Sequence, residues 1–189
     1  CSINSKYIHS SLSVWYLYAS AKKLCSDNIE LSVIEGTINE NEDEIIKRLL
    51  DKKPDLIAFS TYIWNIKTVL SVSEKIKTAT PKIKILLGGP EVSFNQKDVL
   101  SENPFVDFIS SGEGEKNVPL LLNALSEEAN ADIKGISYRK GDSIIMNEGE
   151  MLSVEDIPSP YCEEYFQSLK TRIAYIESSR GCPFNCAFC

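Results

Sequence analysis

Three cysteines, Cys182, Cys186 and Cys189, stand at C-x3-C-x2-C spacing in Ser178-Ser179-Arg180-Gly181-Cys182-Pro183-Phe184-Asn185-Cys186-Ala187-Phe188-Cys189. Cysteine thiolates hold iron–sulfur clusters. A short loop turns three sulfurs toward one point where the residues between them tolerate tight turns, and Gly181, Pro183 and Asn185 are of that kind. Three ligands rather than four leave one iron of a 4Fe–4S cluster without a protein ligand, open to a substrate. A zinc site short of one ligand and a set of free thiols stand as alternatives.

The run R-G-C-P-F-N-C-A-F-C resembles the cluster loop of radical S-adenosylmethionine (SAM) enzymes. The resemblance implies that Cys182, Cys186 and Cys189 ligate a 4Fe–4S cluster. Its open iron would chelate the amino and carboxylate groups of SAM, and electron transfer would cleave SAM to a 5′-deoxyadenosyl radical. Phe188 fits the family's usual aromatic before the last cysteine. The barrel of that family should follow this loop, so the chain reads as a piece of a longer protein and is expected to be catalytically inactive alone.

The elements that must position these cysteines alternate along the chain. A helix is predicted from His9–Ser10 to about Leu24, with Leu12, Trp15, Tyr16 and Ala19 on its buried side. A strand over Glu30–Glu35, a helix over Glu42–Leu50 and a strand over Asp55–Ser60 follow. Then come a helix over Trp64–Ala79, a strand over Lys82–Leu87, a short helix over Gln96–Ser101 and a strand over Val106–Ser110. A helix reaching about Glu127, with Pro119 in its first turn, closes the series. Such alternation implies an α/β fold with a doubly wound, Rossmann/flavodoxin-like parallel sheet. The pattern opens with a helix, so the first and central strand is predicted to lie upstream of Cys1 or to be only touched by Cys1–Ile3. Beyond Asn130, runs 135–139 and 143–147 flank Lys140-Gly141-Asp142 as a hairpin. A two-proline linker at Ile157–Pro160, a short helix over Tyr161–Leu169 and a strand over Ile173–Glu177 lead to the cysteines. Three units are expected: an α/β domain at 1–129, a hairpin and linker at 130–172, and the start of a barrel at 173–189.

In open α/β sheets, ligands bind beyond the carboxyl ends of the strands. Here those ends carry Asn4–Tyr7, Ser60-Thr61-Tyr62, Gly88-Gly89-Pro90-Glu91 and Gly112-Glu113-Gly114-Glu115. Glycines allow close backbone approach. Ser and Thr supply hydroxyls. Tyr62 and Trp64 divide evenly between core packing and a flat cofactor wall. Taken in order, P-D-L-I-A-F-S-T, I-L-L-G-G-P-E and S-S-G-E-G-E resemble the cobalamin-binding domain that precedes radical SAM barrels, over about residues 1–128. The resemblance implies a corrin over the strand ends and a nucleotide tail entering the sheet edge. Ser60, Thr61, Tyr62, Gly88, Gly89, Pro90, Glu91, Gly112, Glu113, Gly114 and Glu115 would line that site. The D-x-H-x-x-G motif whose histidine ligates cobalt in many carriers is absent. The single histidine, His9, reads as a structural hydrogen-bonder. Cobalamin-dependent radical SAM enzymes often lack the ligating histidine. Glu91, Glu113 and Glu115 fit helix starts, where negative charge is favourable, and no catalytic residue is assigned.

Lys plus Arg total 20 and Asp plus Glu 27, a net charge of −7 with no basic cluster, which speaks against a broad nucleic-acid surface. No apolar run reaches the roughly 20 residues of a membrane span. Six cysteines without a disulfide framework suit a reducing cytoplasm. The implied whole is an enzyme with three cofactors: cobalamin, SAM and a 4Fe–4S cluster. It would pass a methyl group to a small-molecule substrate of unknown identity, with a flavodoxin or ferredoxin as electron donor. Family members also perform ring closures. The alternatives are a radical SAM enzyme whose α/β domain is a cobalamin-free scaffold or substrate module, and a non-enzymatic binding module such as a carrier or zinc-stapled domain.

Overall fold

The first strand of the sheet is inside the chain. In the computed structural model, which describes all residues except Ile8, Met151, Cys182, Pro183, Asn185, Ala187, Phe188 and Cys189, Ser2–Asn4 form β1. The expectation that this strand lies upstream of Cys1 is therefore overturned in favour of a strand close to Cys1–Ile3. It escapes the sequence pattern because it has three residues, of which only Ile3 is apolar. Burial comes from its position between β2 (Glu35–Thr37) and β3 (Leu56–Ser60), both parallel to it.

The strand order is β2-β1-β3-β4-β5-β6-β7, with β4 at Lys84–Gly88, β5 at Phe108–Ser110, β6 at Ile136–Lys140 and β7 at Ser143–Ile145. The first five strands are parallel, the doubly wound arrangement that the alternation predicts. The predicted hairpin forms around Gly141-Asp142, and β6 pairs antiparallel with β5. It thus extends the sheet by two strands.

The second strand differs from its predicted place at Glu30–Glu35. Pairing starts only at the far end of that run, in the register Ser2↔Glu35, Ile3↔Gly36 and Asn4↔Thr37. A strand needs a neighbour, and a three-residue β1 offers one only there. Apolar alternation over Leu31 and Val33 serves packing instead, since Val33 packs beside α1 (Leu12–Leu24).

Four further helices cover the sheet: α2 (Glu42–Leu50), α3 (Ile66–Ala79), α5 (Gln96–Glu102) and α6 (Gly114–Ser126), with a single turn α4 (Pro90–Ser93) after β4. β4 shows the alternation that divides the core. Ile85 and Leu87 face α2 and α3 with Ile3, Ile45, Phe59 and Val72, while Leu86 joins Phe108, Val118 and Leu121 beneath α6.

Pro119 lies in the interior of α6, not in its first turn, because the helix already begins at Gly114. A proline there removes the N–H that would bond the carbonyl four residues earlier, that of Glu115. The fully buried Ser20 of α1 donates its hydroxyl to that carbonyl instead.

The short helix near the end is α7 (Glu163–Leu169), packed through Tyr165 and Leu169 on Val14 and Trp15 of α1. Ile173–Glu177 is not a strand: it has no neighbouring strand among the described residues. Among the described residues, no helix is long and apolar enough to cross a membrane.

Candidate site at the carboxyl edge of the sheet

Small residues lie in register across four adjacent strands: Ser60, Gly88 and Ser110, which end β3, β4 and β5, pair in turn, and Ser60 pairs with Ser2 at the start of β1. The hydroxyls are tied to the protein. Ser60 donates to Ser2 Oγ at 3.2 Å, Ser2 to Asn4 Oδ1 at 3.0 Å, and Ser110 to Asn117 Oδ1 at 2.8 Å. A Cβ placed on Gly88 would meet only Ser110, at 3.6 Å, an ordinary contact. Room for a further atom is thus open at Gly88, while Ser2, Ser60 and Ser110 beside it are buried.

Above the row, the loops are held rigidly. Thr61 is fully buried, with its amide and hydroxyl both donating to Gly88 O at 2.6 and 2.9 Å. Gly89 opens α4 at φ 112°, and a Cβ there would fall 2.4 Å from Thr61 O, so only glycine lets the two loops close on each other. Pro90 takes the first position of α4 and Glu91 its first turn. Asn65, which the sequence pattern passes over, is fully buried and ties the ends of β1 and β3 together. It donates to Ile3 O at 2.9 Å and Ser60 O at 3.0 Å, and accepts from Tyr62 N at 2.8 Å. An Asn just ahead of a helix was its only signal.

Large apolar side chains rim this edge without being buried. Tyr7 follows β1, Ile63 and Trp64 follow β3, and Phe94 follows α4, with exposures of 62%, 78%, 48% and 91%. Tyr62 and Trp64 stack in parallel, with ring centroids 4.5 Å apart and planes 4° apart. Between this rim and the chain segment that leads to the cysteines lies a cleft of about 540 Å³, whose walls include Asn4, Ser5, Tyr62 and Trp64 on one side and Tyr175 and Glu177 on the other.

His9 also borders the cleft, but its Nδ1 is hydrogen-bonded to the Tyr175 hydroxyl. It therefore acts as a hydrogen-bonder between the β1 loop and the approach to the cysteines.

The glutamates at the start of α6 face inward to a basic partner. Glu113 caps the helix and accepts from Leu152 N at 2.6 Å. Glu115 pairs with Arg180 at 2.6 Å. Gly112, at φ 72°, makes the preceding turn, and Gly114 lies against Leu17 of α1. Arg180 also bonds Glu177 at 2.9 Å and lies 4.5 Å over the Tyr16 ring. Arg180 holds the Glu177 carboxyl below its ordinary range against the opposing effect of burial. Burial, then the neighbouring Glu177 carboxylate, raises the Tyr16 phenol.

A second buried carboxylate went unnoticed in the sequence. Glu35 accepts from Asn4 Nδ2 at 3.0 Å, Ser11 N at 2.9 Å and Trp15 Nε1 at 3.1 Å, and pairs with Arg172 at 2.9 Å. Burial alone would raise its pKa, but the bonds from Arg172, Ser11 and Trp15 outweigh it and lower it.

Of the three expected cluster ligands, Cys186 is exposed, and Cys182 and Cys189 lie outside the described residues. Among the described residues, no group of three His, Cys, Asp or Glu side chains is placed to hold a metal ion.

Residues 2–122 match the B12 binding domain family. The chain is 31% identical over 152 residues to the cobalamin-dependent radical SAM methyltransferase TokK of Streptomyces tokunonensis, covering 72% of this chain and 22% of that protein. It is also 31% identical over 157 residues to the hopanoid C-3 methylase of Methylococcus capsulatus, covering 79% and 30%. The chain thus spans less than a third of the length of either relative. Among solved structures, the cobalamin-dependent SAM radical enzyme OxsB, with aqua-cobalamin and SAM bound, superposes with a TM-score of 0.81 at 25% identity, over 100% of this chain and 27% of that one.

Proposed function

We propose that this chain, which belongs to the B12 binding domain family, is the cobalamin-binding part and the approach to the cluster loop of a larger radical SAM methyltransferase. The observation that carries the proposal is the shared location of two features. The carboxyl-edge site opens onto a cleft, and the far wall of that cleft is the segment running into C-x3-C-x2-C.

The residues present fit a corrin. Its flat, largely apolar ring suits the exposed rim of Tyr7, Ile63, Trp64 and Phe94, which would otherwise stand in water. The nucleotide tail suits the small-residue row of Ser2, Ser60, Gly88 and Ser110, which offers hydroxyls and a bare glycine. Thr61, Tyr62, Gly89, Pro90 and Glu91 would border the ring, and Gly112 to Glu115 the tail. His9 Nδ1 is engaged by Tyr175, which supports its reading as a structural hydrogen-bonder.

Bound there, the corrin would supply a transferable methyl group, and a 4Fe–4S cluster, for which Cys182, Cys186 and Cys189 are the candidate ligands, would supply the electron for SAM cleavage. The protein's own part is placement and exclusion of water. The apolar rim would shield the cofactor from water, and the buried Thr61–Gly88 and Asn65 bonds tie down the loops that would hold it. A flavodoxin or ferredoxin is the proposed electron donor, a small molecule the proposed substrate, and the cytoplasm the proposed compartment.

The test is anaerobic binding of hydroxocobalamin to this chain, read by visible spectrum and co-elution on a sizing column. A retained corrin with a base-off spectrum is expected. Because β1 is in place, failure to retain it overturns the cobalamin assignment and favours the scaffold alternative. Methyl transfer is tested separately, with methyl-labelled SAM on the full-length protein: an unlabelled product counts against it and for a ring closure or other radical rearrangement.

A further inference from the structure

Between Arg172 and Arg180, the backbone has no regular secondary structure and no strand partner among the described residues, and side chains fix it in place. Ser10 Oγ donates to Ile173 O at 3.0 Å. The Tyr165 hydroxyl donates to Tyr175 O and accepts from Tyr175 N, both at 3.0 Å. The Tyr161 hydroxyl accepts from Glu177 N at 2.7 Å. At each end stands an arginine. Arg172 reaches Glu35 on β2, and Arg180 reaches Glu115 and, at 3.8 Å, Glu113 at the start of α6.

We propose that Arg172 and Arg180 are positioning residues. They seat the approach to the cysteine loop on the cobalamin-binding fold and so hold the corrin site and the cluster at one separation. The inference rests on the function proposed above. Arg180 carries most of it, since it stands two residues before Cys182 and its anchorage sets where the loop begins. Its guanidinium is held by two carboxylates and the Tyr16 face at once, which leaves the planar fork little freedom. Glu113 and Glu115 do not depend on Arg180 for their own placement, because negative charge is already favoured at a helix start. What the arginine contributes is location. Location matters for two cofactors that must exchange a group, since a misplacement of about 1 Å can cost on the order of 100-fold in rate.

The test uses the full-length protein loaded with hydroxocobalamin, iron and sulfide, and reduced so that cob(II)alamin and the cluster each carry an unpaired spin. Pulsed dipolar EPR then reads the distance between them, alongside corrin and iron content and methylated product per SAM cleaved. In Arg180→Gln, both cofactors are expected at parental content, with a broadened distance distribution and a product ratio lowered on the order of tenfold. Arg180→Lys should recover only part of it, because an ammonium lacks the fork. A parental distance distribution and product ratio in Arg180→Gln would overturn the proposal. So would equal loss of corrin and iron without broadening, the mark of a plain stability role. Should Arg180→Gln not fold, Tyr16→Ala, which removes the ring under the guanidinium, must give the same broadening. If the unsubstituted protein retains no corrin, the function fails instead. The anchoring is then read by amide exchange over 173–180, which Arg180→Gln must accelerate; unchanged exchange overturns it.

Discussion

Arg172 and Glu35 are 137 positions apart in sequence and form a 2.9 Å ion pair, with side chains 11% and 8% exposed. The pair joins the edge of the parallel sheet to the segment that leads toward the cysteines. Glu35 also collects the side chain of Asn4, the amide of Ser11 and the indole of Trp15, so its charge is fully engaged.

Removing one partner should therefore cost more than removing both. Arg172→Met leaves a buried carboxylate without its cation and is expected to destabilise the fold by about 3 kcal/mol. The double variant Glu35→Gln/Arg172→Met strands no charge and should lose clearly less. Urea unfolding of the parent, Arg172→Met and the double variant checks this, and a double variant at least as unstable as Arg172→Met would contradict it.

The same carboxylate sets a pH dependence. Its folded pKa lies below the ordinary 4.5. A depressed carboxylate stabilises the fold fully above its unfolded pKa and loses that contribution as pH falls through the folded value. The chain should hold its stability from neutrality down to about pH 5 and lose it progressively below. Glu35→Gln should show a shallower loss over that window, measured as urea midpoints at a series of pH values.

Ser20 and Pro119 form a compensating pair across α1 and α6. Ser20→Ala leaves the buried Glu115 carbonyl without a donor, at an expected cost of about 1–3 kcal/mol. Pro119→Ala restores an amide that can reach the same carbonyl. Adding Pro119→Ala to Ser20→Ala should recover part of the loss, and a strictly additive thermal-melt cycle would show that the two are independent.

The Tyr62–Trp64 stack should matter to binding more than to folding. Trp64 is 48% exposed, so Trp64→Ala is expected to leave the urea midpoint close to the parent's. Loss of an aromatic contact with a bound corrin, at about 1 kcal/mol, weakens affinity roughly fivefold. Spectral titration with hydroxocobalamin reads this. Equal affinity in both chains would place the ring outside the contact surface.

The local pattern was enough to show a doubly wound sheet. The apolar runs Leu56–Ser60 and Lys84–Gly88, ended by Ser-Thr and Gly-Gly-Pro, mark strands buried on both faces and the loops at their carboxyl ends. The β hairpin was legible for the same reason, since Gly141-Asp142 between alternating runs is a turn wherever it occurs. What tertiary structure alone decided are the features whose cause lies far away in the chain. A three-residue β1 is a strand only because β2 and β3 flank it, and it in turn confines β2 to Glu35–Thr37. Pro119 is tolerated inside α6 because Ser20 stands opposite. Ile173–Glu177 carries the apolar look of a strand, yet among the described residues no strand lies beside it, and hydroxyls of Tyr161, Tyr165 and Ser10 take up its backbone groups. Arginines and glutamates read as ordinary surface charge in the sequence. Glu35 with Arg172, and Glu115 with Arg180, became anchors only when folding removed them from water together, since a charge can be buried only beside its partner.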